Sequence, residues 1–263
     1  MTICLVVTGR HVDSLKFLDI ILGDEPPLSP PEVFYQRMLA GDPAEEVDRA
    51  EKLLKEQTLL AFYEDVALNG LKLAQNDLTR GSLDPSRIEK IRESIGKLIY
   101  ELGDEDRTPL EKGTAAASAL TDDIQSDQSK SAGPSGPERP IVCVAGRSKL
   151  DENAALMLAQ LLGKHGLKSK FAGPEALSTL GIFSLEKEGP AIVFLCCLDT
   201  DSVAHMRYAI RRLRRRLPKI KVLLGCWMVS GDAANLRELV QADGIATTLK
   251  EALELCLSPA YRR

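Results

Sequence analysis

The chain has 263 residues, a formal net charge of −4 and a hydrophobic fraction of 44 %. This composition is typical of a globular protein with one large or two ordinary domains. The longest apolar runs, residues 1–7 and 191–197, are far shorter than the roughly 20 residues that cross a bilayer. Residues 8–11 (TGRH) follow the first run without a signal-peptide cleavage site. We therefore predict a protein that is neither secreted nor membrane-spanning.

The cysteines indicate free, buried thiols. None of them belongs to a Cys-x-x-Cys pair, and most lie within apolar runs typical of strands. Disulfides and a metal site are therefore the less favoured interpretations. The cysteines are Cys4, Cys143, Cys196, Cys197, Cys226 and Cys256. This usage is typical of a reducing compartment, so we predict a cytoplasmic protein.

Charge is divided unevenly along the chain. Residues 139–263 carry 19 basic and 12 acidic side chains, whereas residues 1–138 carry 15 basic and 26 acidic ones. An acidic half joined to a basic half indicates either attraction between the two or separate partners for each.

Residues 103–139 divide the chain into two predicted domains. This segment is rich in Ser, Ala, Gly, Pro and Asp and poor in large apolar side chains. It cannot bury enough surface to offset the entropy of ordering, so we predict a disordered linker. An acidic helical domain is predicted over residues 1–102 and an α/β domain over 140–263. We expect the two to fold independently.

Helix-start signals recur in the first domain. Residues 29–32 (SPPE) have the spacing of a capping box with proline at the first helical position. Asp-Pro pairs at 42–43 and 84–85 repeat the start signal, and a further helix is predicted to begin near Thr58. Apolar residues at helical spacing follow each start. Short capped helices with brief loops predict an antiparallel helical bundle.

Strand and helix patterns alternate after the linker. The run at 191–198 is apolar on both faces, as strands of a buried parallel sheet are. The alternation predicts a sheet with helices on both sides and a flavodoxin-like (Rossmann-like) strand order. The predicted strands are 141–145, 168–172, 191–198, 221–228 and 245–247, and the predicted helices are 154–162, 202–217, 233–242 and 249–257.

The loops at the carboxyl ends of the predicted strands form a candidate ligand site. Ligands of doubly wound sheets bind outside these ends, near the switch in strand order. Arg147 beside a helix N-terminus could hold an anion. The loops lack a G-x-G-x-x-G or Walker A run, so turn and helix-cap roles are the competing interpretation. The candidate residues are Gly146, Arg147, Ser148, Asp199, Thr200, Asp201, Ser202 and Trp227.

Two sites known in this fold are missing from the sequence. Asp199 stands where a receiver domain has its phospho-acceptor, but Gly146 and Arg147 stand where a receiver needs an acidic pair. A cobalamin-binding domain of this fold carries Asp-x-His-x-x-Gly after its first strand, and this chain does not. His11, His165 and His205 are dispersed, without metal-ligand spacing. We predict no cofactor and no metal.

No catalytic constellation stands out in the sequence. A G-x-S-x-G elbow, a Ser/His/Asp set and paired catalytic carboxylates are all missing from its patterns. We therefore predict a protein that is not an enzyme, with an enzyme of unknown type as a third hypothesis.

A basic helix is the strongest charge feature. Residues 207–221 (RYAIRRLRRRLPKIK) place the apolar side chains on one helical face and the arginines on the rest. The interpretations are a solvated face, an anionic membrane surface or membrane-protein partner at the inner face of the membrane, and docking on the acidic domain. Nucleic acid is disfavoured because interleaved aromatics are missing. The predicted contact residues are Arg207, Arg211, Arg212, Arg214, Arg215 and Arg216.

Residues 5–24 (LVVTGRHVDSLKFLDIILGD) and 28–42 (LSPPEVFYQRMLAGD) resemble the region after the last transmembrane helix of certain permeases. These are the autoinducer-2 exporter family, also called PerM-like permeases. A more general similarity to the same region extends through the helical unit to residues 205–216 (HMRYAIRRLRRR). Because the membrane core of the family is missing, the resemblance implies a soluble cytoplasmic tail, a truncated permease gene or an expressed fragment. It carries over neither transport activity nor binding residues.

The sequence thus predicts a non-catalytic cytosolic regulatory or interaction module related to the tail of a PerM-like permease. The alternative is a sensor whose α/β domain binds a small anionic ligand at the carboxyl ends of its strands. The basic helix and the divided charge favour the first hypothesis. Arg147 and the loop at 199–202 favour the second.

Overall fold

The computed structural model describes residues 28–41, 43–103, 139–199, 203–229 and 231–259. They form a helical N-terminal region followed by a five-stranded parallel sheet with helices on both faces, the flavodoxin-like (Rossmann-like) architecture. Of the predicted linker, only its two end residues fall in these ranges. Residues 5–24, on which much of the permease resemblance rests, lie outside them. No described helix is long and apolar enough to span a membrane.

The helical unit begins where the capping box predicts. The Glu32 carboxylate accepts a 2.7 Å hydrogen bond from the Ser29 backbone N–H, and Gly41 ends the helix with a φ of +79°. Its elements are α1 (Pro30–Ala40), α2 (Ala44–Leu54), α3 (Leu59–Phe62), a π-helical segment (Tyr63–Leu68), α4 (Asn69–Thr79) and α5 (Pro85–Gly103). The α3, π-helical and α4 segments follow one another without a break, so the third predicted helix is confirmed but contains a π-helical turn.

The α/β domain follows the predicted alternation. Its strands are β1 (Ile141–Ala145), β2 (Ser169–Ala172), β3 (Ile192–Cys197), β4 (Lys221–Cys226) and β5 (Gly244–Ala246). Its α-helices are α6 (Lys149–Lys164), α7 (Thr179–Glu188), α8 (Val203–Arg216), α9 (Ala233–Val240) and α10 (Leu249–Leu257). The strand order is β2-β1-β3-β4-β5, and each described pairing is parallel.

Two elements differ from the sequence-based expectation. The first helix after β1 begins at Lys149 instead of residue 154, because Ser148 and Asp151 form a capping box there. Helix α7 was not predicted. Two of its large apolar residues, Leu180 and Phe183, point outward, which blurs the apolar stripe that marks an amphipathic helix.

The sheet separates two apolar cores. One face of the sheet packs with α6 and α10 against the helical unit, in a core that includes Tyr63, Ile99, Cys143 and Phe194. The opposite face packs against α7, α8 and α9. The basic helix α8 therefore lies across the sheet from the helical unit. Within the described part of the acidic helical domain, the predicted docking of these arginines is not found, because the sheet stands between that part and α8.

Polar contacts also join the helical unit to the α/β domain. Gln160 on α6 donates a 2.7 Å hydrogen bond to the Ile99 carbonyl and accepts one from the Tyr63 hydroxyl. Glu89 on α5 pairs with Lys149, and Arg92 on α5 lies 3.3 Å from a Glu152 oxygen. These contacts fix how the helical unit sits on the sheet and so shape the site described next.

Candidate functional site

A cavity of about 300 Å³ lies over the carboxyl ends of β1 and β3, where the strand order reverses. Arg147 and Ser148 line it from the loop after β1, and Asp199 lines it from the loop after β3. The register explains why they meet: Ala145 ends β1 opposite Cys196 of β3, so both chains leave the sheet side by side. This is the crevice in which doubly wound sheets place their ligands.

The helical unit closes the cavity from the other side. Gln75 and Leu78 on α4 are part of its wall. The Gln75 side-chain amide donates a hydrogen bond to an Asp199 carboxylate oxygen, and its carbonyl oxygen lies 3.4 Å from the Ser148 hydroxyl. One side chain of the helical unit therefore touches both loops of the sheet edge.

Asp151 forms the floor of the cavity and holds both loops together. One of its carboxylate oxygens accepts a 2.8 Å hydrogen bond from the Ser148 backbone N–H, and the other accepts one of 2.8 Å from the Leu198 N–H. The pKa of Asp151 is raised to about 6, because burial, together with the nearby charge of Asp199, outweighs the lowering effect of the backbone donors. A buried carboxyl with a raised pKa in a crevice is a common mark of a functional site.

Gly146 allows the loop after β1 to pass close to β3. A Cβ atom at this position would lie 2.6 Å from the Asp151 carboxylate, 2.8 Å from the Cys197 sulfur and 2.9 Å from the Cys196 carbonyl oxygen. The Gly146 N–H donates a 2.7 Å hydrogen bond to that carbonyl. Only glycine fits here, so Gly146 shapes the loop and contributes no side chain to the cavity.

Arg147 is the exposed cation at the mouth of the cavity. Its neighbour Lys149 is engaged elsewhere, because it pairs with Glu89 of the helical unit. His205, at the start of α8, is also exposed and contributes to the wall. The cavity thus has the Arg147 guanidinium at its mouth and the carboxyl groups of Asp151 and Asp199 deeper inside.

Not every predicted residue reaches this cavity. Thr200, Asp201 and Ser202 lie outside the described residues. Trp227 is only 3 % exposed, stacks on Phe194 with ring centroids 6.4 Å apart, and does not line the cavity. Its place in the apolar core removes it from the site.

Sequence reasoning missed six residues that line the cavity. Asp151 had a signal, since it stands three residues after Ser148 in a capping-box spacing. Cys197 also had a signal, since it ends β3 two residues before Asp199. The other four had none, because their presence depends on how α4 and α8 pack over the sheet edge. They are Gln75, Leu78, His205 and Met206.

The described cysteines follow the predicted pattern. Cys143, Cys196, Cys197 and Cys226 are buried free thiols, Cys256 is buried as well, and Cys4 lies outside the described residues. Burial raises the pKa of the Cys197 thiol, so this thiol is protonated where it borders the cavity. Within the described ranges no group of three His, Cys, Asp or Glu side chains could hold a metal ion.

Comparison with known proteins gives a likeness at the level of fold. No family model matches the chain, and no curated protein matches it. A cobalamin-binding protein from Desulfitobacterium hafniense DCB-2 is 15 % identical, with a TM-score of 0.39, over 85 % of this chain and 95 % of that one. The methanol:cobalamin methyltransferase complex MtaBC from Methanosarcina barkeri is 14 % identical, with a TM-score of 0.34, over 88 % of this chain and 79 % of that one.

The resemblance to PerM-like permease tails is therefore wrong. The two solved structures named above are a cobalamin-binding protein and a cobalamin methyltransferase complex, and neither a family model nor a curated protein supports a permease. The prediction of a regulatory module related to a permease tail fails with it. Of the three stretches that carried the resemblance, residues 5–24 lie outside the described residues.

Proposed function

We propose that this chain is a ligand-binding module that holds a small ligand between α4 and the carboxyl ends of β1 and β3. The observation that carries the proposal is the cavity at the switch in strand order, with walls from both the sheet edge and the helical unit. At about 300 Å³ it matches the lower end of ligand-pocket sizes, which suits a small metabolite.

The charges in the cavity narrow the class of ligand. Arg147 at the mouth suits a carboxylate or phosphate group. Asp199 and Asp151 lie deeper, where an anionic group would be repelled and a hydrogen-bond donor would be favoured. We therefore propose a ligand with an anionic group at one end and an amino or hydroxyl donor at the other.

Ligand binding is expected to act on the helical unit. A donor that reaches Asp199 competes with the Gln75 amide for the same carboxylate. Breaking that hydrogen bond changes the contact between α4 and the loop after β3, so the helical unit could report an occupied site. We therefore propose a sensor or carrier role. A cytoplasmic location and the lack of a catalytic step are part of this proposal.

Cobalamin is not the ligand that we propose. The loop after β1 runs Gly146-Arg147-Ser148 and lacks the Asp-x-His-x-x-Gly that supplies a histidine in cobalamin-binding domains of this fold. A corrinoid is also larger than the cavity, which Gln75 and Asp199 close by their hydrogen bond. The residues present therefore do not fit that cofactor.

Thermal unfolding of the full chain tests the proposal. A ligand that binds only the native state stabilises it by mass action and so raises the unfolding temperature. At a ligand concentration of 100 times the Kd, the stabilisation is about 2.7 kcal/mol. The panel includes inorganic phosphate and the matched set butyrate, n-butylamine and 4-aminobutyrate. We expect compounds with both an anionic group and a donor to stabilise more than their single-group analogues.

Two arginine variants localise the effect. Arg147→Gln is expected to abolish most of the stabilisation, whereas Arg211→Gln, an exposed arginine on α8, should keep it. Lys149 is not a suitable control, because its pair with Glu89 joins the two units. Full stabilisation in the Arg147 variant, or equal loss in both variants, would remove the cavity as the site.

A further inference from the structure

Helices α7 and α8 present a second surface, on the side of the sheet away from the helical unit. Leu180 is 82 % exposed, Tyr208 61 % and Phe183 40 %. Arginines of α8 stand beside them. We call this the α7–α8 surface and define it by Leu180, Phe183, Tyr208, Arg211, Arg212 and Arg216.

The groups on the α7–α8 surface hold one another in place. The Arg216 guanidinium lies 4.4 Å from the centroid of the Phe183 ring, and Arg212 donates a hydrogen bond to the Thr179 hydroxyl. Tyr208, Arg212 and Arg216 are four residues apart, so they form one row along α8 next to α7. A planar guanidinium fixed on an aromatic ring keeps its remaining donors oriented toward solvent.

This combination differs from ordinary surface exposure. A single exposed apolar side chain is common in soluble proteins, but three on neighbouring helices form a patch. Tyrosine, phenylalanine and arginine are also the residues enriched in protein interfaces and their hot spots. The patch and the arginine row together therefore indicate a docking surface.

We propose that the α7–α8 surface binds an acidic, amphipathic segment of a partner protein. Carboxylates of the segment would pair with Arg211, Arg212 and Arg216, and an apolar side chain would cover Leu180 and Phe183. Charge complementarity carries the choice of partner, since bidentate pairing with carboxylates is the geometry that arginine favours. This surface is independent of the proposed ligand cavity.

Acidic groups on the same side of the sheet favour a protein segment over lipid. Glu186 is exposed one helical turn after Phe183, and Asp243 pairs with Arg214 at 3.0 Å. An anionic membrane is a continuous negative surface that meets these carboxylates wherever it meets the arginines, whereas the carboxylates of a peptide segment can be placed opposite the arginines alone. For a protein segment, repulsion from the same carboxylates determines where along the surface the acidic side chains of the segment can lie.

Fluorescence anisotropy with the full chain tests this proposal. The probe is a labelled synthetic helix with Glu at positions i, i+4 and i+8 and Leu along the adjacent row, and the reference is a scrambled peptide of equal composition. The designed peptide is expected to bind more tightly than the scrambled one. Changing Arg211, Arg212 and Arg216 to Gln should weaken binding about tenfold, as three partly exposed charge pairs predict.

Matched variants test whether binding depends on the position of the arginines or only on the net charge of the protein. Lys52→Gln, Lys97→Gln and Lys168→Gln together remove the same charge from exposed positions elsewhere and should change binding little. Leu180→Ala should weaken it several-fold without loss of folding, because that side chain is 82 % exposed. Arg147→Gln should leave peptide binding unchanged, which separates this proposal from the ligand cavity.

Three results would overturn the proposal. One is equal binding of the designed and scrambled peptides. Another is equal loss in the arginine and lysine triple variants. The third is stronger binding to phosphatidylglycerol vesicles than to the peptide with no effect of Leu180→Ala, which would assign the surface to lipid.

Discussion

Asp151 connects the stability of the fold to the chemistry of the proposed site. Its carboxylate caps α6 through Ser148 and ties the loop after β3 through the Leu198 N–H. The same group forms the floor of the ligand cavity, close to Asp199. Its protonation therefore affects both folding and binding.

We predict that Asp151 titrates near pH 6 in the folded protein. Burial and the charge of Asp199 both raise its pKa from the usual 3.8, so Asp199→Asn should lower it. Carbon-13 NMR titration of the carboxyl carbons measures the pKa of Asp151 in the wild type and in the Asp199→Asn variant. A pKa below 4 for Asp151, or no change in the Asp199 variant, would contradict the assignment.

The same shift predicts how stability depends on pH. Between about pH 4 and pH 6 folded Asp151 keeps a proton that the unfolded chain has lost, so its contribution to stability falls as pH rises through this window. A shift of about two pKa units corresponds to roughly 3 kcal/mol, an order-of-magnitude figure. Urea unfolding measures this contribution as the free energy of unfolding of the wild type minus that of Asp151→Asn. We expect this difference to fall as pH rises through the window and to stay constant above it.

Sequence reasoning located one half of the site and missed the other. Arg147, Ser148 and Asp199 follow apolar strands, and parallel strands bring their carboxyl ends to one edge, so their proximity could be predicted. Gln75 stands more than 70 residues away, and no local pattern shows that α4 packs over that edge. Trp227 also follows a strand, but its ring turns back onto Phe194.

At the scale of elements, the loop after β1 depends on Gly146. The close approach of this loop to β3 brings Ser148 and Asp151 into position to cap α6. Without that approach the cavity would lose its floor. The start of α6 was predicted too late because the capping box Ser148–Asp151 precedes the apolar stripe of the helix.

Gly146→Ala is expected to destabilise the protein by about 1–3 kcal/mol, as overpacking of a core does. The added Cβ would stand 2.8 Å from the Cys197 sulfur and 2.9 Å from a backbone carbonyl oxygen. Gly231→Ala is the matched control, since nothing lies within 4 Å of its Cβ position. Urea unfolding of both variants checks the prediction, and equal stabilities would contradict the packing of this loop.

At the scale of the whole molecule, the helical unit and the α/β domain share one apolar core. Tyr63 and Ile99 pack in the same cluster as Phe194 of the sheet, and Gln160 joins the units by hydrogen bonds. The composition of residues 103–139 led us to expect independent folding. Composition describes the connecting segment, however, and not the surfaces on either side of it.

We predict that the two units unfold together. Calorimetry of the full chain should give one transition with equal calorimetric and van't Hoff enthalpies, because separating the units would expose the shared core. Cleavage within residues 104–138 should leave the two fragments associated. Two well-separated transitions, or fragments that part on gel filtration, would show that the shared core is weak.

The most direct test of the proposed function is hydrogen–deuterium exchange of the full chain with and without the compound that stabilises it most. Our account predicts slower exchange in three segments that meet at the cavity: 146–151 after β1, 75–79 at the end of α4 and 203–206 at the start of α8. The outer turns of α7 should not change. Slowed exchange confined to α7 and to residues 208–216 of α8, with 146–151 unchanged, would contradict a ligand site at the sheet edge.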